Sequence, residues 1–364
     1  MTSRAKIDRL FLSITVTLIV AGFFIFSSAS LGLLAKQSSN LGSIAFSQMV
    51  LGLLLGTVAM IVASKLDFKI WRKYSLLILV AAVVLNILVL FIGFEHAGAR
   101  RWLSVGGISF QPSELLKLAF VLYFAAWLSS VKDKVKTFTW GLLPLLILFA
   151  ICGGLLLMQP DTDTFLIIVV TGLAMYVTAG GQWRWVLALG LVGLLAIGVL
   201  AYQRPYVMKR IQTFVNPTTD SLGASYQIQQ SLIAIGSGGL FGRGFGQSIQ
   251  KFTYLPEPVG DSIFAVAAEE FGFVGSVLLI ALFLLFAIRG LKISSCVPNA
   301  FARLTVAGLV IMIITQAFVN IGAMLGVLPL SGITLPFVSH GGTSLFITLF
   351  EVGIIFSISK TQKS

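Results

Sequence analysis

The sequence predicts an all-α polytopic membrane protein of about ten transmembrane helices. Of its 364 residues, 57% are hydrophobic and 10% are charged, whereas soluble domains carry about 25% charged residues. The mean hydropathy is +0.99. Ten apolar stretches approach the roughly 20 residues that a helix needs to cross the hydrocarbon core of a bilayer. They cover residues 10–34, 46–64, 74–94, 113–131, 139–158, 164–180, 185–203, 262–289, 303–327 and 341–358.

The boundaries of these stretches follow charged and helix-breaking residues. The first stretch is too long, and too poorly followed by a cleavage pattern, for a removable signal peptide, so it is predicted to be a retained helix. The fourth is predicted to begin at Ser113, an N-cap residue that follows Pro112. Most connections are short. The exception, 204–261, lies between helices 7 and 8 and contains four helix-breaking prolines: Pro205, Pro217, Pro256 and Pro258.

The distribution of Lys and Arg predicts the orientation of the chain. With ten spans, 16 of the 25 cationic residues fall on the side that holds both termini, eight fall on the other side, and Lys117 lies inside the fourth span. Cytoplasmic loops carry the excess of positive charge, so both termini are predicted to be cytoplasmic and the loop 204–261 extracytoplasmic. The absence of ATP there excludes kinase and ATPase chemistry. The net charge of +12 mostly reflects this bias and does not indicate nucleic-acid binding.

Residues 1–364 are predicted to form a single integral membrane domain that includes the large loop. Within the loop, residues 226–235 suit a short interfacial helix, and residues 236–246 contain six glycines. These glycines could cradle an anion through backbone amides or let the loop pack closely against helices. The two cysteines, Cys152 and Cys296, suggest neither a disulfide framework nor a metal site, and no zinc-site spacing is present.

Asp261 is the residue whose position is most informative for chemistry. It ends the large loop and precedes a long apolar stretch. This places a proton acceptor at the outer membrane surface, where a lipid-carried substrate could meet it. The cations Arg100, Arg101 and Lys117 are predicted to face the same leaflet, and arginine matches phosphate in a bidentate way.

Other ionisable residues have both structural and functional interpretations. Glu114 and Lys117 are three residues apart and can pair on one helix face, either to secure the helix end or to meet a lipid diphosphate. Glu269 and Glu270 are predicted to lie about two turns inside span eight. Glu351 lies midway along span ten, where a carboxyl either faces a cavity or packs as a hydrogen-bonded group.

Three further polar sites are predicted mainly to be structural. Asp161 and Asp163, in the turn between spans five and six, suit helix caps. Asn320 is expected to form a helix–helix hydrogen bond. His340 is expected to be a hydrogen-bonding packing residue.

Several motifs, in this order along the chain, resemble those of the SEDS family (shape, elongation, division and sporulation), in particular its FtsW branch. They include Gly-Ala-Arg-Arg-Trp at 98–102, Phe-Gln-Pro-Ser-Glu-Leu-Leu-Lys at 110–117, Gln-Pro-Asp at 159–161, Ser-Leu-Ile-Ala-Ile-Gly-Ser-Gly-Gly-Leu-Phe-Gly at 231–242, Tyr-Leu-Pro-Glu at 254–257, Glu-Glu at 269–270, Gln-Ala-Phe-Val-Asn-Ile-Gly at 316–322 and Leu-Pro-Phe-Val-Ser at 335–339. The resemblance implies a ten-helix peptidoglycan glycosyltransferase acting on lipid II, a disaccharide-pentapeptide on an undecaprenyl diphosphate.

Asp261 matches the family's essential aspartate by its place after Leu-Pro-Glu. Inverting sugar transfer needs a base for the attacking hydroxyl and positive charge for the departing diphosphate. Asp261 is the catalytic candidate, and the candidates for substrate binding are Arg101, Glu114, Lys117, Arg210, Arg243, Glu257 and Glu270. No cofactor or protein metal site is predicted, although a divalent cation could share the work of the cations.

The chain departs from the usual family pattern near this aspartate and in two other places. The differing residues are Val259, Gly260, Ser262, Asp163, which stands where glycine is usual, and His340, which stands where tyrosine is usual. They leave the base in place and bear on acceptor contacts and on the partner surface.

The resemblance implies a class B penicillin-binding protein and other division proteins as partners, and a location in the bacterial cytoplasmic membrane at the division septum. The alternatives are a RodA-like elongation polymerase, a lipid II flippase or transporter, and a non-catalytic scaffold for a transpeptidase. The intramembrane acids Glu269, Glu270 and Glu351 are the feature that favours a transporter.

Overall fold

The computed structural model describes residues 7–35, 41–96, 99–105, 108–203, 208, 212–215 and 224–362. These residues form a helical bundle with one small sheet. The helices are α1 (Arg9–Ala35), α2 (Gly42–Lys65), α3 (Phe68–Ile92), α4 (Pro112–Val131), α5 (Phe138–Met158), α6 (Thr162–Thr178), α7 (Trp183–Gln203), α8 (Ala224–Ser237), α9 (Gln250–Thr253), α10 (Ile263–Cys296), α11 (Ala300–Met324) and α12 (Gly342–Ser359). The strands are β1 (Phe94–His96), β2 (Ala99–Val105) and β3 (Ile108–Phe110).

Each of the ten predicted spans coincides with a helix. Within the described residues, eight helices are long and apolar enough to cross a membrane, and α6 and the first part of α7 are shorter apolar helices. The prediction of an all-helical polytopic protein is therefore confirmed for the membrane part. The predicted interfacial helix is present as α8, whereas its depth relative to a bilayer stays a prediction.

The segment between α3 and α4 adds a small sheet to the predicted helices. Residues 94–110 include a three-stranded antiparallel sheet in the order β1-β2-β3. Phe94 lies opposite Trp102, and Leu103 lies opposite Phe110. Aromatic and apolar residues facing each other across strands stabilise such pairs, and a short β-ribbon satisfies the backbone of a connection that cannot continue as helix.

Both chain ends lie at the same end of the bundle. Asp8, directly before α1, forms an ion pair with Arg289 of α10, with 2.7 Å between Oδ2 and Nη2. Lys360, directly after α12, donates from Nζ to the carbonyl of Ser64 at the end of α2, at 2.6 Å. The structure thus agrees with an even number of spans, and the assignment of this end to the cytoplasm stays a prediction.

Helix α10 is interrupted at Gly272, whose φ of 66° and ψ of −163° are not helical. Glu269 and Glu270 lie about two turns into α10, which begins at Ile263. This agrees with their predicted place along the helix, and their depth relative to a bilayer stays a prediction. The segment before the break is buried against protein.

Helices α11 and α12 form the centre of the bundle and are buried over most of their length. Glycines allow α2 and α12 to approach closely: a Cβ at Gly56 would lie 2.8 Å from Leu349 Cδ1, and one at Gly353 would lie 2.5 Å from the carbonyl oxygen of Met60. In a membrane, such close contact supplies much of the packing energy, since lipid tails are as apolar as the side chains.

We expect the end that holds the termini to be closed to impermeant reagents in intact cells. Cys296 ends α10 at that end and is half-buried, and Cys152 is fully buried. A membrane-impermeant maleimide should label Cys296 only after permeabilisation. In a Cys296→Ser background, Tyr254→Cys should be labelled without permeabilisation, because Tyr254 is 54% exposed in the large loop. The reverse pattern would invert the predicted topology.

Candidate functional site

Asp261 lies in a turn directly before α10, at the end of the bundle opposite to both termini. Its side chain is half-buried. This position suits a carboxylate that the protein holds in place and that a substrate reaches from one membrane surface. The geometry of this turn defines the candidate site.

Three successive carbonyl groups in the turn each accept a hydrogen bond from a distant part of the chain. The backbone amide of His340 donates to Val259 at 2.7 Å. Ser339 Oγ donates to Gly260 at 2.8 Å, and Asn320 Nδ2 donates to Asp261 at 2.9 Å. These contacts fix the backbone that carries the carboxylate from α11 and from the segment 325–341, which connects α11 to α12.

Glu257 shapes the same turn through its backbone. It has a φ of 44°, a conformation that is uncommon for residues other than glycine and costs about 1–3 kcal/mol. Its carbonyl accepts hydrogen bonds from the amides of Gly260 at 3.0 Å and Ser262 at 3.2 Å. The predicted substrate-binding residue Glu257 thus closes the turn before Asp261, and a contact with substrate stays a prediction.

The segment beside the carboxylate contains Gly332. A Cβ at Gly332 would lie 3.6 Å from Asp261 Oδ2, so the side chain of Asp261 points to this glycine. The amide of Gly332 donates to Asp163 Oδ2 at 3.2 Å. Ile333 is held next to it, since its carbonyl accepts from Asn320 Nδ2 at 2.7 Å. Asp163 was predicted as a helix cap, but the N-cap residue of α6 is Asp161, and Asp163 reaches the segment that borders Asp261.

Glu114 and Lys117 form a buried pair that is linked to this segment by hydrogen bonds. Glu114 Oε1 is 3.0 Å from Lys117 Nζ, which confirms the predicted pairing. Lys117 also donates to Gln316 Oε1 at 2.5 Å, and Gln316 Nε2 donates to the carbonyl of Thr334 at 3.0 Å. Ser344 Oγ donates to Glu114 Oε2 at 3.1 Å. The network joins α4, α11, α12 and the segment that borders Asp261.

A second buried network surrounds Glu270. Its Oε1 accepts from Lys251 Nζ and from Ser28 Oγ, both at 2.6 Å. Lys251 Nζ also donates to Ser28 Oγ at 2.9 Å. Lys251 has no exposed side-chain surface and Glu270 has almost none. The pair therefore ties the large loop to α1 and α10.

Glu269 points in another direction and binds the loop itself. It accepts hydrogen bonds from Ser248 Oγ at 2.5 Å and from the amide of Ile249 at 3.0 Å. Arg243 Nε lies 3.6 Å from Glu269 Oε1, and the Arg243 side chain is 38% exposed. Arg243 thus forms an ion pair with Glu269, and the exposed part of its side chain is accessible to a ligand.

The glycine-rich stretch packs against the broken part of α10. The amides of Arg243 and Gly244 donate to the carbonyls of Glu269 and Glu270, both at 3.0 Å. Gly242 has a φ of 80°, and a Cβ there would lie 2.1 Å from the Glu270 carbonyl oxygen. These contacts favour the close-packing interpretation of the glycines over an anion cradle, because these amides already have acceptors.

Arg101 stabilises the turn between α5 and α6. Its Nε donates to the carbonyl of Gln159 at 3.1 Å, its Nη2 donates to the carbonyl of Pro160, and its Nη1 lies 4.0 Å from Asp161 Oδ1. Asp161 caps α6 by accepting from the amide of Thr164 at 3.4 Å, as predicted. Burial raises the pKa of Asp161, and Arg101 opposes this increase.

The remaining predicted positions are distributed as follows. Arg210 lies outside the described residues. Glu351 is buried inside α12. Over the described ranges, no cluster of three or more His, Cys, Asp or Glu side chains is arranged to hold a metal ion. Participation of a divalent cation stays a prediction.

Three local expectations were wrong. The side chain of His340 was expected to form a hydrogen bond, but its Nε2 is buried without a hydrogen-bond partner among the described residues, and its ring stacks on Phe26. Asn320 was expected to bond another helix, but it binds the carbonyls of Asp261 and Ile333, which both lie outside helices. Helix α4 begins at Pro112 with Gln111 as its N-cap residue, so Ser113 is not the cap. A proline at the first helical position needs no hydrogen-bond acceptor for its nitrogen.

Sequence reasoning gave no role at the site to Gln316, Ser339 or Gly332. A signal was available for the first: Gln316 and Asn320 are four residues apart in an apolar helix and must share one face. Polar groups on one face of a membrane helix need partners. Those partners include the carbonyl groups of Ile333 and Thr334 and, for Asn320, also that of Asp261, and a sequence pattern does not reveal them.

The fold and site define a polytopic membrane protein with an anchored acidic turn at one end. Residues 8–364 match the family model described as "Cell cycle protein", FTSW_RODA_SPOVE. The chain is 37% identical to stage V sporulation protein E of Bacillus subtilis strain 168, covering 100% of this chain and 99% of that protein. It is 34% identical to the "Probable peptidoglycan glycosyltransferase FtsW" of Trichlorobacter lovleyi, covering 99% and 94%.

Solved structures agree with these matches. A chain from a structure described as "Structural coordination of polymerization and crosslinking by a peptidoglycan synthase complex" is similar with a TM-score of 0.81 and 28% identity, covering 98% of each chain. The rod shape determining protein RodA of Thermus thermophilus is similar with a TM-score of 0.68 and 28% identity, covering 96% of each chain. The chain belongs to the SEDS family.

We expect Lys251→Met to destabilise the protein strongly, since it leaves the Glu270 carboxylate buried without its cation. Removing one partner of a buried pair costs about 3–5 kcal/mol. The double variant Lys251→Met with Glu270→Gln should recover at least half of this loss. The free energy of unfolding in mixed micelles, followed by tryptophan fluorescence, measures both.

Lys292→Met is the matched control, because Lys292 is an exposed lysine of α10. Its loss should change stability by less than about 1 kcal/mol. Equal effects of the two lysine substitutions would contradict a stabilising role for the buried pair.

Proposed function

We propose that the chain is a peptidoglycan glycosyltransferase that polymerises lipid II on the extracytoplasmic face of the membrane, with Asp261 as general base. The observation that carries this proposal is the half-buried Asp261 carboxylate, which is carried on a turn anchored through three successive carbonyl groups. Membership of a family with relatives named as probable peptidoglycan glycosyltransferases supports the reaction.

The chemistry requires one proton acceptor near the acceptor sugar. The 4-hydroxyl oxygen of the acceptor attacks the anomeric carbon of the donor, and its proton passes to the Asp261 carboxylate. The bond from the anomeric carbon to the diphosphate oxygen breaks, and the undecaprenyl diphosphate leaves with the electron pair. Attack from the face opposite to the leaving group inverts the anomeric configuration. A carboxylate with an immobile backbone suits this role, because catalysis depends on a base held within hydrogen-bond reach of its proton.

The leaving diphosphate requires positive charge. Among the three cations that were predicted to bind substrate and that the structure describes, Arg243 is more exposed than Arg101, and Lys117 is buried against Glu114. We therefore assign Arg243 to direct contact with the diphosphate, and Lys117 and Arg101 to support of the site. Glu114, Glu257 and Glu270 support the same site by fixing its elements, and Arg210 remains a further candidate from the sequence.

We assign the chain to septal wall synthesis in cell division, with a class B penicillin-binding protein as its transpeptidase partner. The support is the similarity to proteins named FtsW and to a chain of a peptidoglycan synthase complex. A RodA-like role in elongation and a role in sporulation are the neighbouring alternatives. Imaging of a fluorescent fusion separates them, since a division enzyme concentrates at midcell and an elongation enzyme along the side wall.

The lipid II flippase and the non-catalytic scaffold differ from a polymerase in what Asp261 does. Two of the three acids that favoured a transporter have specific partners: Glu270 binds Lys251 and Ser28, and Glu269 binds Ser248. Their contacts favour a structural role. A scaffold would function without the carboxylate, and a flippase would move lipid II without joining sugars.

We expect Asp261→Asn to abolish glycan polymerisation, because the amide cannot accept the proton of the attacking hydroxyl. The purified variant with its transpeptidase partner should convert labelled lipid II at least about 10²-fold more slowly than the unmodified protein, the lower range for loss of a general base. Gel separation of glycan products measures this rate.

Asp67→Asn is the control, since Asp67 caps α3 at the end that holds the termini. Thermal stability and partner binding of Asp261→Asn should match those of the unmodified protein. Normal polymerisation by Asp261→Asn would remove Asp261 as the base, and normal cell growth with this variant would favour the scaffold.

We expect Arg243→Gln to raise the KM for lipid II about tenfold, which corresponds to about 1.4 kcal/mol of lost binding. Its partly exposed ion pair with Glu269 should contribute less than about 1 kcal/mol to folding, so the melting temperature should change little. Arg243→Lys keeps the charge and should recover part of the affinity. Parallel losses of affinity and stability would instead indicate a packing role.

A further inference from the structure

Asp163 connects α6 to the segment that borders the candidate base. It lies in the first turn of α6, and its Oδ2 accepts a hydrogen bond from the amide of Gly332 at 3.2 Å. The partners are 169 positions apart, so the contact is a tertiary one. A hydrogen bond to a carboxylate is stronger than one to a neutral acceptor, which suits a contact that fixes an exposed backbone position.

Gly332 also lies next to the carboxylate of Asp261. A Cβ at this position would lie 3.6 Å from Asp261 Oδ2, which is ordinary van der Waals contact. Glycine has no side chain, so it places no side-chain atom against this oxygen, and a methyl group at this position would contact it without a steric clash. The next residue, Ile333, is held by Asn320, which also holds the Asp261 carbonyl.

We propose that Asp163 is a positioning residue that anchors Gly332 beside Asp261 and so keeps one side of the Asp261 carboxylate open to the acceptor sugar. The catalytic part of this inference rests on the proposed function, whereas the anchoring of Gly332 by Asp163 does not. Asp163 acts through the backbone of Gly332 and does not itself exchange a proton with the substrate. A misplaced neighbour reduces turnover more than substrate binding, because catalysis is more sensitive than affinity to small displacements.

The test compares Asp163→Ala with Asp163→Asn in the full chain reconstituted with its transpeptidase partner. The asparagine oxygen still accepts a hydrogen bond, whereas alanine offers no acceptor. We expect kcat for lipid II polymerisation to fall about three- to tenfold in Asp163→Ala, with KM within about twofold, and to stay near the unmodified value in Asp163→Asn. Asp67→Ala, which removes a comparable carboxylate–amide contact to Lys69 at the other end of the bundle, should leave kcat unchanged.

A second measurement does not depend on activity. Hydrogen–deuterium exchange of peptides covering Gly332 should be about fivefold faster in Asp163→Ala and unchanged in Asp163→Asn. Gly332→Ala should keep slow exchange and the melting temperature but lower kcat, because its methyl group covers Asp261 Oδ2.

Unchanged exchange at Gly332 in Asp163→Ala overturns the anchoring. Unchanged kcat in Asp163→Ala, or equal losses in the alanine and asparagine variants, overturns positioning through this hydrogen bond. If Gly332→Ala has the same kcat as the unmodified protein, the inference that the side of Asp261 next to Gly332 must stay open is overturned. If the unmodified protein makes no glycan, the proposed function fails together with the catalytic part of this inference, and the exchange experiment still decides whether Asp163 anchors Gly332.

Discussion

The site depends on the three hydrogen bonds that satisfy the carbonyl groups of residues 259–261. Buried carbonyl groups outside a helix must find donors, and leaving one unsatisfied costs about 1–3 kcal/mol. Here the donors are Asn320, Ser339 and the amide of His340. Since all three come from one part of the chain, the residues after position 319, the Asp261 turn can form only when α11 and the segment after it are in place.

This dependence makes the site a product of the whole bundle. Asn320 and Gln316 lie on one face of α11, and each holds a carbonyl of adjacent residues, Ile333 and Thr334. Through Lys117, Gln316 also joins this segment to α4. A displacement of α4 or α11 would therefore also shift Asp261, because these hydrogen bonds connect the two helices to its turn. In an interior of low dielectric, such hydrogen bonds are stronger than they are in water.

Two ion pairs lie towards opposite ends of α10. Asp8 and Arg289 pair at the end that holds the termini, and Glu270 and Lys251 pair in the part of α10 that precedes the break at Gly272. Buried charges are tolerated where a partner and further hydrogen bonds compensate the lost hydration. The Glu270 pair meets this requirement with Ser28 as a third member. It holds the irregular large loop against α1, where exposed backbone would otherwise meet lipid.

Sequence patterns predicted the parts of this protein that depend on local composition. Ten apolar stretches identified the helices, and the three-residue spacing of Glu114 and Lys117 identified their contact. The patterns missed the small sheet at 94–110, because its strands are only three to seven residues long. They did not reveal the break in α10 at Gly272, because hydropathy continues through it. Asp261 was selected as the candidate base by its place at the end of the large loop and by the family resemblance, and this role stays a prediction.

What local patterns do not contain is the identity of long-range partners. The hydrogen bond of Gly332 to Asp163 and its proximity to Asp261 join residues from three regions, and nothing in the immediate neighbourhood of any one of them specifies the others. The same limit explains the error at Asn320. Its amide could satisfy any nearby acceptor, and the acceptors it has are exposed by the non-helical paths of residues 259–261 and 330–334. A polar residue in an apolar helix therefore predicts that a partner exists, whereas only the three-dimensional path of irregular segments determines which partner it is.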